Sequence, residues 1–281
     1  MLRLLVLSAL LCSGCRSSSR GLVEDTLGLA LESCEAMLDS AVPTADDALL
    51  PGTLDDHLGC LLTLHADYPL ESRVHSAISR ALHARGLGWP DPVRDDLHAS
   101  RSWALRGLGL KPRFADRLSA ERGLLSPFVV QAATPEDLPL LIWGSRSWAG
   151  WLLARGTRGA AIDLPALQAL AARATEIAPA DAEALTAAAM VLSLEPESPD
   201  EAAIATAWDQ ALSADPGRLL NRYEAVRFAG KGGDPQAQQA IMLEIAASTP
   251  SGRGMRRFEE ALARRLARQL TTPEPTEEAP E

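Results

Sequence analysis

The side chains that could do acid–base or metal chemistry lie mainly in the first half of the sequence, which holds all of its histidines: His57, His65, His75, His83 and His98. None of them stands in the pattern of two histidines one helical turn apart that holds a zinc ion in many enzymes. The densest cluster is Asp55-Asp56-His57, which has the residue types of a metal or acid–base site. Consecutive residues of a helix point in three different directions. We therefore predict a solvent-exposed helix face at this cluster and no metal site.

Motifs of nucleophilic catalysis and phosphate binding are also missing from the sequence. There is no Gly-x-Ser-x-Gly turn, and no cysteine stands with a histidine at a catalytic spacing. The stretch GKGGD at 230–234 is rich in glycine, but it lacks the Ser or Thr of a phosphate-binding loop and a preceding strand. It is typical of a turn between two helices. These observations favour a protein that is not an enzyme and that uses no cofactor.

The first residues, MLRLLVLSALLCSGC, have the layout of a secretory signal, with a basic residue, a short apolar run and small residues near a cleavage site. The apolar run is too short to cross a bilayer permanently. Its end, Ser-Gly-Cys, resembles the lipobox of bacterial lipoproteins. We therefore predict a signal peptide over 1–14 and a lipid attached to Cys15, with ordinary secretion and cleavage nearby as the alternative.

The predicted lipid also indicates where the protein resides. Acyl chains on Cys15 would hold the protein at a membrane without a transmembrane helix. Residues 16–20, RSSSR, are typical of a flexible tether between the lipid and the folded domain. Arg16, rather than Asp, follows the cysteine, and by analogy with bacterial lipoprotein sorting this predicts the outer membrane of a Gram-negative bacterium, facing the periplasm.

Two further cysteines, Cys34 and Cys60, lie in the predicted exported part of the chain. An exported protein folds in an oxidising compartment, where a disulfide between neighbouring helices can form. Two buried free thiols are an equally valid interpretation of the sequence. A metal site would require more ligands at closer spacing.

Composition restricts the fold and the partners of the 281-residue chain. Apolar residues make up 47% and aromatic residues only 4%, with Ala and Leu dominant, which favours helices over sheets. No stretch shows the alternation of a strand, so we predict an all-α fold. The formal net charge of −10 is opposite in sign to that of a nucleic-acid-binding protein, so no nucleic-acid partner is expected.

Proline marks both the starts and the ends of the predicted helices. Four starts combine a capping side chain with proline at the first helical position, where the missing N–H costs nothing: Asp91-Pro92, Thr134-Pro135, Ser198-Pro199 and Asp234-Pro235. Three predicted helices end before prolines separated by 37 and 34 residues: Pro179, Pro216 and Pro250.

A period of about 34 residues with this ending is typical of tetratricopeptide repeats. In the middle copy Trp208, Ala211 and Pro216 occupy the aromatic, alanine and proline positions of that motif, and Ala174 and Pro179 repeat the last two. We predict antiparallel helix hairpins that stack into a compact α-solenoid over residues 21–270. Generic hairpins with accidental spacing are the alternative. The sequence at 271–281, rich in Pro and Glu, is typical of a disordered acidic tail.

Three tryptophans crowd one short stretch, IWGSRSWAGWLL at 142–153. Trp143, Trp148 and Trp151 share one broad face of a helix whose remaining circumference is also largely apolar. A helix that is apolar nearly all round packs inside a protein. We therefore predict that these side chains belong to the core. A wall of a channel for a hydrophobic ligand is the alternative.

Together these motifs resemble the T-component lipoproteins of TRAP transporters, the TatT family. The resemblance rests on the lipobox cysteine, the tryptophan-rich helix, the degenerate repeats and the last helix: Cys15, Trp143, Gly144, Trp148, Trp151, Trp208, Ala211 and Arg264-Arg265-Leu266. It covers residues 95–270 clearly and the earlier helices in outline. The chain departs from the family where LEPESPDEA at 194–202 replaces a Gly-Gly turn, and it lacks the usual Asn in the last helix.

The resemblance implies a periplasm-facing, non-enzymatic lipoprotein that serves a tripartite, ATP-independent uptake system. Such a protein would bind the substrate-binding protein of that system, could assemble as a homo-trimer, and could carry a hydrophobic ligand in a pore through each subunit. A general repeat scaffold that organises protein complexes of the cell envelope, without a small-molecule cargo, is the alternative function.

Overall fold

The computed structural model describes residues 16–41, 50–91, 93–156, 160–195, 200–229 and 234–272. These residues form thirteen α-helices, a single-turn 3-10 helix at Pro135–Asp137 and no β-strand, so the predicted all-α fold is confirmed. None of the helices in these ranges combines the length and the apolar character needed to span a membrane. In chain order the α-helices are α1 (Arg16–Ala41), α2 (Leu50–Asp67), α3 (Ser72–Gly88), α4 (Asp96–Gly109), α5 (Pro112–Ala120), α6 (Pro127–Val130), α7 (Leu138–Arg155), α8 (Ala160–Ile177), α9 (Ala182–Leu192), α10 (Glu201–Ala214), α11 (Leu219–Ala229), α12 (Pro235–Ala247) and α13 (Gly254–Thr271).

The predictions for the two ends of the chain fall largely outside the described residues. The signal peptide at 1–14, the lipid-bearing Cys15 and residues 273–281 of the predicted tail all lie there. Helix α1 begins at Arg16, so the prediction of a flexible tether at 16–20 is wrong for the backbone of that segment. No proline separates it from the rest of α1, and the helix therefore extends through its Arg and Ser residues.

Two of the predicted helix starts are found where proline indicated them. Asp234 caps α12 by accepting a hydrogen bond from the Gln236 N–H at 3.0 Å, and Pro235 takes the first helical position. Thr134 precedes the 3-10 turn, where its N–H and hydroxyl donate to Asp137 Oδ2 at 3.0 and 2.9 Å. The turn leads directly into α7, so the predicted start is displaced by one turn of 3-10 helix.

The other two predicted caps, Asp91 and Ser198, are wrong in position. In each case an aspartate that lies nearer to the helix caps it instead. Helix α10 is capped by Asp200, which accepts from the Ala203 N–H at 3.0 Å, while Ser198 lies outside the described residues. Helix α4 is capped by Asp95 and not by Asp91. Both Asp200 and Asp95 directly precede the first helical residue, so their oxygens reach the orphan N–H groups.

The predicted repeat pattern marks alternate helices of the second half. Helices α8, α10 and α12 end two or three residues before Pro179, Pro216 and Pro250, and each is followed by a turn into the next helix. The motif positions Ala174, Trp208 and Ala211 are buried, whereas Pro179 and Pro216 lie exposed in the turns. The small alanines allow neighbouring helices to approach closely, and proline prevents the helix from continuing.

The helices of the second half stack in order and then return to the first half. Helix α7 packs against α8, α9 against α10, and α12 against α13, as expected for a solenoid of hairpins. In addition α3 packs against α7, α7 against α9, α9 against α11, α11 against α13, and α13 against α3. We call these five helices the central ring. The solenoid is therefore closed on itself.

Three helices of the central ring, α3, α7 and α13, run in the same direction. Along α3 and α13, Arg80 bonds Glu259, and further on Gly88 accepts a hydrogen bond from Arg265. Along α3 and α7, Arg80 lies over the ring of Trp143, and His83 bonds Ser147. Since the numbers rise together in each pair, α3, α7 and α13 end at the same end of the ring.

Apolar side chains form two separate clusters around the ring. One joins α4–α10 around Trp143, Trp148 and Trp208, and the other joins α1–α3 with α11–α13 around Phe258 and Leu262. Helices of the central ring contribute to both clusters. Between the clusters, these helices also direct charged side chains toward one another, and these pair across the ring.

Candidate functional site

Eight ionisable side chains from all five helices of the central ring meet in its interior. We call this group the central charge network: Arg80 and His83 of α3, Arg146 of α7, Glu183 of α9, Arg218 directly before α11, Glu224 of α11, and Glu259 and Glu260 of α13. Charged side chains are rarely buried unless they are paired. The network therefore identifies the part of the molecule whose charges must be matched before the helices can pack.

Arg218, the residue directly before α11, binds carboxylates of α9 and α13. Its Nε donates to Glu183 Oε1 at 2.7 Å, its Nη1 donates to Glu260 Oε1 at 2.6 Å, and its Nη2 pairs with Glu259. Arg80 approaches Glu259 from the other side through two hydrogen bonds of 2.7 Å. The carboxylate of Glu259 thus lies between two guanidinium groups, which is the geometry of strong charge-assisted pairing.

Arg146 of α7 is the other arginine at the centre of the network, and its side chain is completely buried. It pairs with Glu224 and Glu183, donates to Asn221 Oδ1 at 3.2 Å, and lies with its guanidinium carbon 4.8 Å from the ring centre of Trp143. Cation–π contact and ion pairing therefore satisfy different parts of the same group. Trp143 is in this way a support for the network as well as a member of the core.

The protonation states follow from these partners. Burial alone would raise the pKa of Glu224, but Arg146 and the hydrogen bond from His83 hold the pKa of that carboxyl at about 2. Burial acts in the same direction on Glu259, and Arg80 and Arg218 hold its pKa at about 2. Burial also lowers the pKa of His83, so this imidazole is neutral near pH 7.

The hydrogen bonds of His83 have the order of a Ser-His-acid triad. Its Nδ1 lies 3.1 Å from Ser147 Oγ and its Nε2 lies 3.1 Å from Glu224 Oε1. Glu224 is an ionised acceptor, so Nε2 donates to it and Nδ1 accepts from the Ser147 hydroxyl. A nucleophile needs space for its substrate, yet Ser147 is fully enclosed and lies 2.6 Å from Ser100 Oγ. We assign these groups to the stabilisation of the ring.

An open cleft lies at the end of the ring where α3 and α7 finish. This ring-end cleft has a volume of about 410 Å³ and is lined by Gly86, Leu87, Pro90, Asp91, Arg94, Asp95, Asp96, Leu97, Trp151, Ala154, Arg155 and Arg227. Its walls come from the C-terminal ends of α3, α7 and α11, the start of α4 and the loop before it. A volume of this size suits a small ligand or a few residues of a peptide.

Asp95 organises one wall of the cleft. Besides capping α4 through the His98 N–H at 3.1 Å, it accepts hydrogen bonds from Trp151 Nε1 at 2.7 Å and from Arg155 at 2.9 Å. Two cations lie near the ring of Trp151, with the guanidinium carbons of Arg101 and Arg155 5.3 and 4.7 Å from its ring centre. The indole is therefore held in place before any partner arrives.

The aspartates of the cleft are matched within the protein. Asp96 receives two hydrogen bonds from Arg85, at 2.9 and 2.8 Å. The N–H groups of Val93 and Arg94 lower the pKa of Asp91. Burial raises the pKa of Asp95, but hydrogen bonds from Trp151 and His98 outweigh it, so the net shift is downward. The carboxylates of Asp91 and Asp95 therefore remain ionised, and the charges of all three aspartates are largely balanced by protein donors.

The tryptophans of the predicted site fall into two groups. Trp143 and Trp148 are each 5% exposed and belong to the core, which confirms the core interpretation for both. Trp151 is half-buried and lines the ring-end cleft, so it is the one of the three that a partner can reach. Trp208 is buried with Nε1 donating to Ser193 Oγ at 3.1 Å, as its repeat position requires.

Cys34 and Cys60 form a disulfide between α1 and α2, with their Cα atoms 5.8 Å apart. This resolves the choice that the sequence left open. The same region corrects the prediction for Asp55-Asp56-His57. The two aspartates are exposed, but His57 is buried and its Nδ1 lies 2.9 Å from the carbonyl oxygen of Cys34. A single helical residue can face the core while its two neighbours face water.

The central charge network was not predicted from the sequence. Its bonded partners are separated by up to 179 residues, as in the pair Arg80 and Glu259, and ring closure alone brings them together. The available signal was the occurrence of charged residues inside otherwise apolar helices, such as Arg146 between Trp143 and Trp148. Among the described residues no group of three or more His, Cys, Asp or Glu side chains is arranged to hold a metal ion.

Comparison of the chain with protein-family models and with curated proteins finds no match.

Proposed function

We propose that this protein is a non-enzymatic, lipid-anchored component of the cell envelope that binds a partner protein at the ring-end cleft. The partner is the substrate-binding protein of a TRAP-type solute uptake system, as the resemblance of the sequence motifs to T-component lipoproteins implies. The observation that carries the proposal is the cleft itself. It presents a fixed indole and three arginines from three separate segments, and aromatic and Arg side chains are the groups that most often dominate protein interfaces.

The disulfide between Cys34 and Cys60 supports the proposed location. Disulfides persist in the periplasm and other oxidising compartments and are rare in the cytosol. Lipid attachment at Cys15 belongs to the same proposal and predicts that Cys15→Ser moves the protein from the membrane fraction to the soluble periplasmic fraction.

The interior of the ring does not favour an apolar cargo. Arg146 and Arg218 lie there with their carboxylates, and an apolar ligand that displaced them would leave charges unpaired. The proposal therefore concerns a protein partner and assigns no hydrophobic ligand to the tryptophans Trp143 and Trp148.

The test measures binding of the full chain to a TRAP substrate-binding protein of the same organism by isothermal titration calorimetry. Arg155→Glu reverses a charge on the rim of the cleft, where the side chain is 62% exposed, and should weaken binding at least tenfold. Arg113→Glu, at an exposed position of α5 outside the cleft lining, is the matched control and should bind like the unaltered chain. Absence of binding by the unaltered chain would refute the proposed partner, and equal binding by both variants would refute the cleft as the docking site.

A further inference from the structure

Helix α13 leaves the folded domain at the same end as the ring-end cleft. Its Leu262 lies against Gly88, and Arg265 donates to the Gly88 carbonyl oxygen at 3.3 Å. Gly88 is the last residue of α3, two residues beyond the Gly86 that lines the cleft. Arg265 also covers the ring of Trp89, with its guanidinium carbon 4.7 Å from the ring centre. The chain that follows α13 therefore starts beside the cleft.

The following segment, 273–281, is long enough to enter the cleft. From Arg265 to the end of α13 at Thr271 the helix rises by about 9 Å. Nine further residues span roughly 30 Å when extended. The segment has the sequence PEPTEEAPE, with four glutamates, three prolines and no basic residue. Proline restricts the free chain, so less conformational entropy is lost when such a segment binds in an extended form.

The charges of the cleft complement this sequence. Its aspartates already accept hydrogen bonds from the protein, as described above. Arg227 of α11 has no hydrogen bond or ion pair among the described residues; it lies 5.9 Å from the ring centre of Tyr223. Arg94 lies 3.7 and 3.6 Å from carboxylate oxygens of Asp91 and Asp96, and Arg155 bonds Asp95 at 2.9 Å. Both stand on the rim with side chains 49% and 62% exposed, so each can share its charge with a further carboxylate. Glutamates entering the cleft would meet cations, and the prolines would meet the apolar floor around Leu87 and Leu97.

We propose that the ring-end cleft binds residues 273–281 of the same chain. Bound there, the segment covers Trp151 and the three arginines, and it must leave before another protein can dock. This competition with a partner rests on the function proposed above, whereas occupation of the cleft by the segment does not. The segment thus acts as an internal competitor that sets the affinity for the partner.

The test uses carbodiimide cross-linking of the full chain with no partner present. Carbodiimide joins a carboxylate to an amine only when the two are in contact, and arginine does not react. Arg227→Lys keeps the positive charge and introduces an amine into the cleft. We expect mass spectrometry to find this amine linked to Glu274, Glu277 or Glu278 within one chain, with a yield that falls severalfold in 1 M salt, where exposed charges are screened beyond about 3 Å.

Arg113→Lys is the matched control, because it places an amine at an exposed site outside the cleft lining. It should link to the segment at least tenfold less. Equal yields at the two positions, no link at position 227, or links found only in covalent dimers would each overturn the proposal. Dimer links would indicate a second copy as the occupant. Since no transport protein is present, these outcomes are independent of whether the proposed partner binds.

Discussion

At Arg218 the protein buries a guanidinium group whose nitrogens face carboxylates of two other helices. Removing a charge from water is costly, and its partners recover that cost only when all of them are present. The importance of the residue therefore lies less in the favourable energy of its ion pairs than in the charges that would be left unpaired without it. Removal of Arg146 would in the same way leave the charges of its partners Glu183 and Glu224 without it.

Arg218→Ala should lower the free energy of unfolding by about 3–5 kcal/mol, because it leaves Glu259 and Glu260 buried without their shared partner. Arg222→Ala, four residues further on in α11, is the control. Its partner Glu244 is 66% exposed, so the loss should be at most about 1 kcal/mol. Urea unfolding followed by circular dichroism measures both. Equal losses in the two variants would contradict the role given to the buried network.

At the scale of the helix, the sequence predicts where elements end better than what their buried faces contact. Proline after α8, α10 and α12 gave the helix ends and the repeat, because its effect on the backbone is local. The apolar surroundings of Trp143 and Trp148 likewise gave the core. The burial and ion pairing of Arg146 could not be predicted in this way. Its partners lie on α9 and α11, so the pairing depends on how the helices assemble.

Close packing of α3 on α4 provides a prediction at this scale. A Cβ atom at Gly86 would lie 2.9 Å from the backbone nitrogen of Leu97, which cannot move without shifting α4. Gly86→Ala should therefore destabilise the protein by about 1–3 kcal/mol, as overpacking usually does.

Gly59→Ala is the matched control on an exposed position of α2, where a Cβ atom would meet nothing within 4 Å. It should stabilise the protein by about 0.5–1 kcal/mol, since alanine favours the helix. Thermal unfolding of both variants makes the comparison. A stabilising effect at Gly86 would show that α3 and α4 pack less closely than described.

At the scale of the whole molecule, the all-α solenoid was predictable and its closure was not. Composition and the proline period indicate stacked hairpins, whereas contact between α13 and α3 joins segments far apart in sequence. The candidate site was likewise predictable only in its local features. Trp151 was named from the sequence, but Asp95, Arg155 and Arg227 reach the cleft only because α4, α7 and α11 meet at one end of the ring.

Closure through charged groups makes the whole domain sensitive to acid. Glu224 and Glu259 have folded-state pKa values of about 2, below the usual value of 4.5. Groups with a lowered folded-state pKa contribute stability above the unfolded-state pKa, and this contribution is lost as pH falls from about 4.5 toward 2. Burial of His83 in its neutral form adds a loss that begins below about pH 6.5.

We therefore expect the urea midpoint to decrease from pH 7 to pH 5.5 and to decrease more steeply below pH 4.5. Glu259→Gln removes one of the titrating groups and should flatten the lower part of this profile, even though the variant is less stable at pH 7. If the urea midpoint of this variant falls as steeply below pH 4.5 as that of the unaltered chain, protonation of Glu259 does not contribute to the acid sensitivity of the ring.

The hydrogen bond from the Gly254 N–H to Asp39, at 2.7 Å, ties the start of the last helix to the end of the first. Most tandem arrays can gain or lose a unit, because a new copy simply extends one end. Here an inserted hairpin would separate partners that must meet, so the number of units is fixed by geometry. We therefore expect proteins of this architecture to vary in their loops and termini and to keep the same number of hairpins.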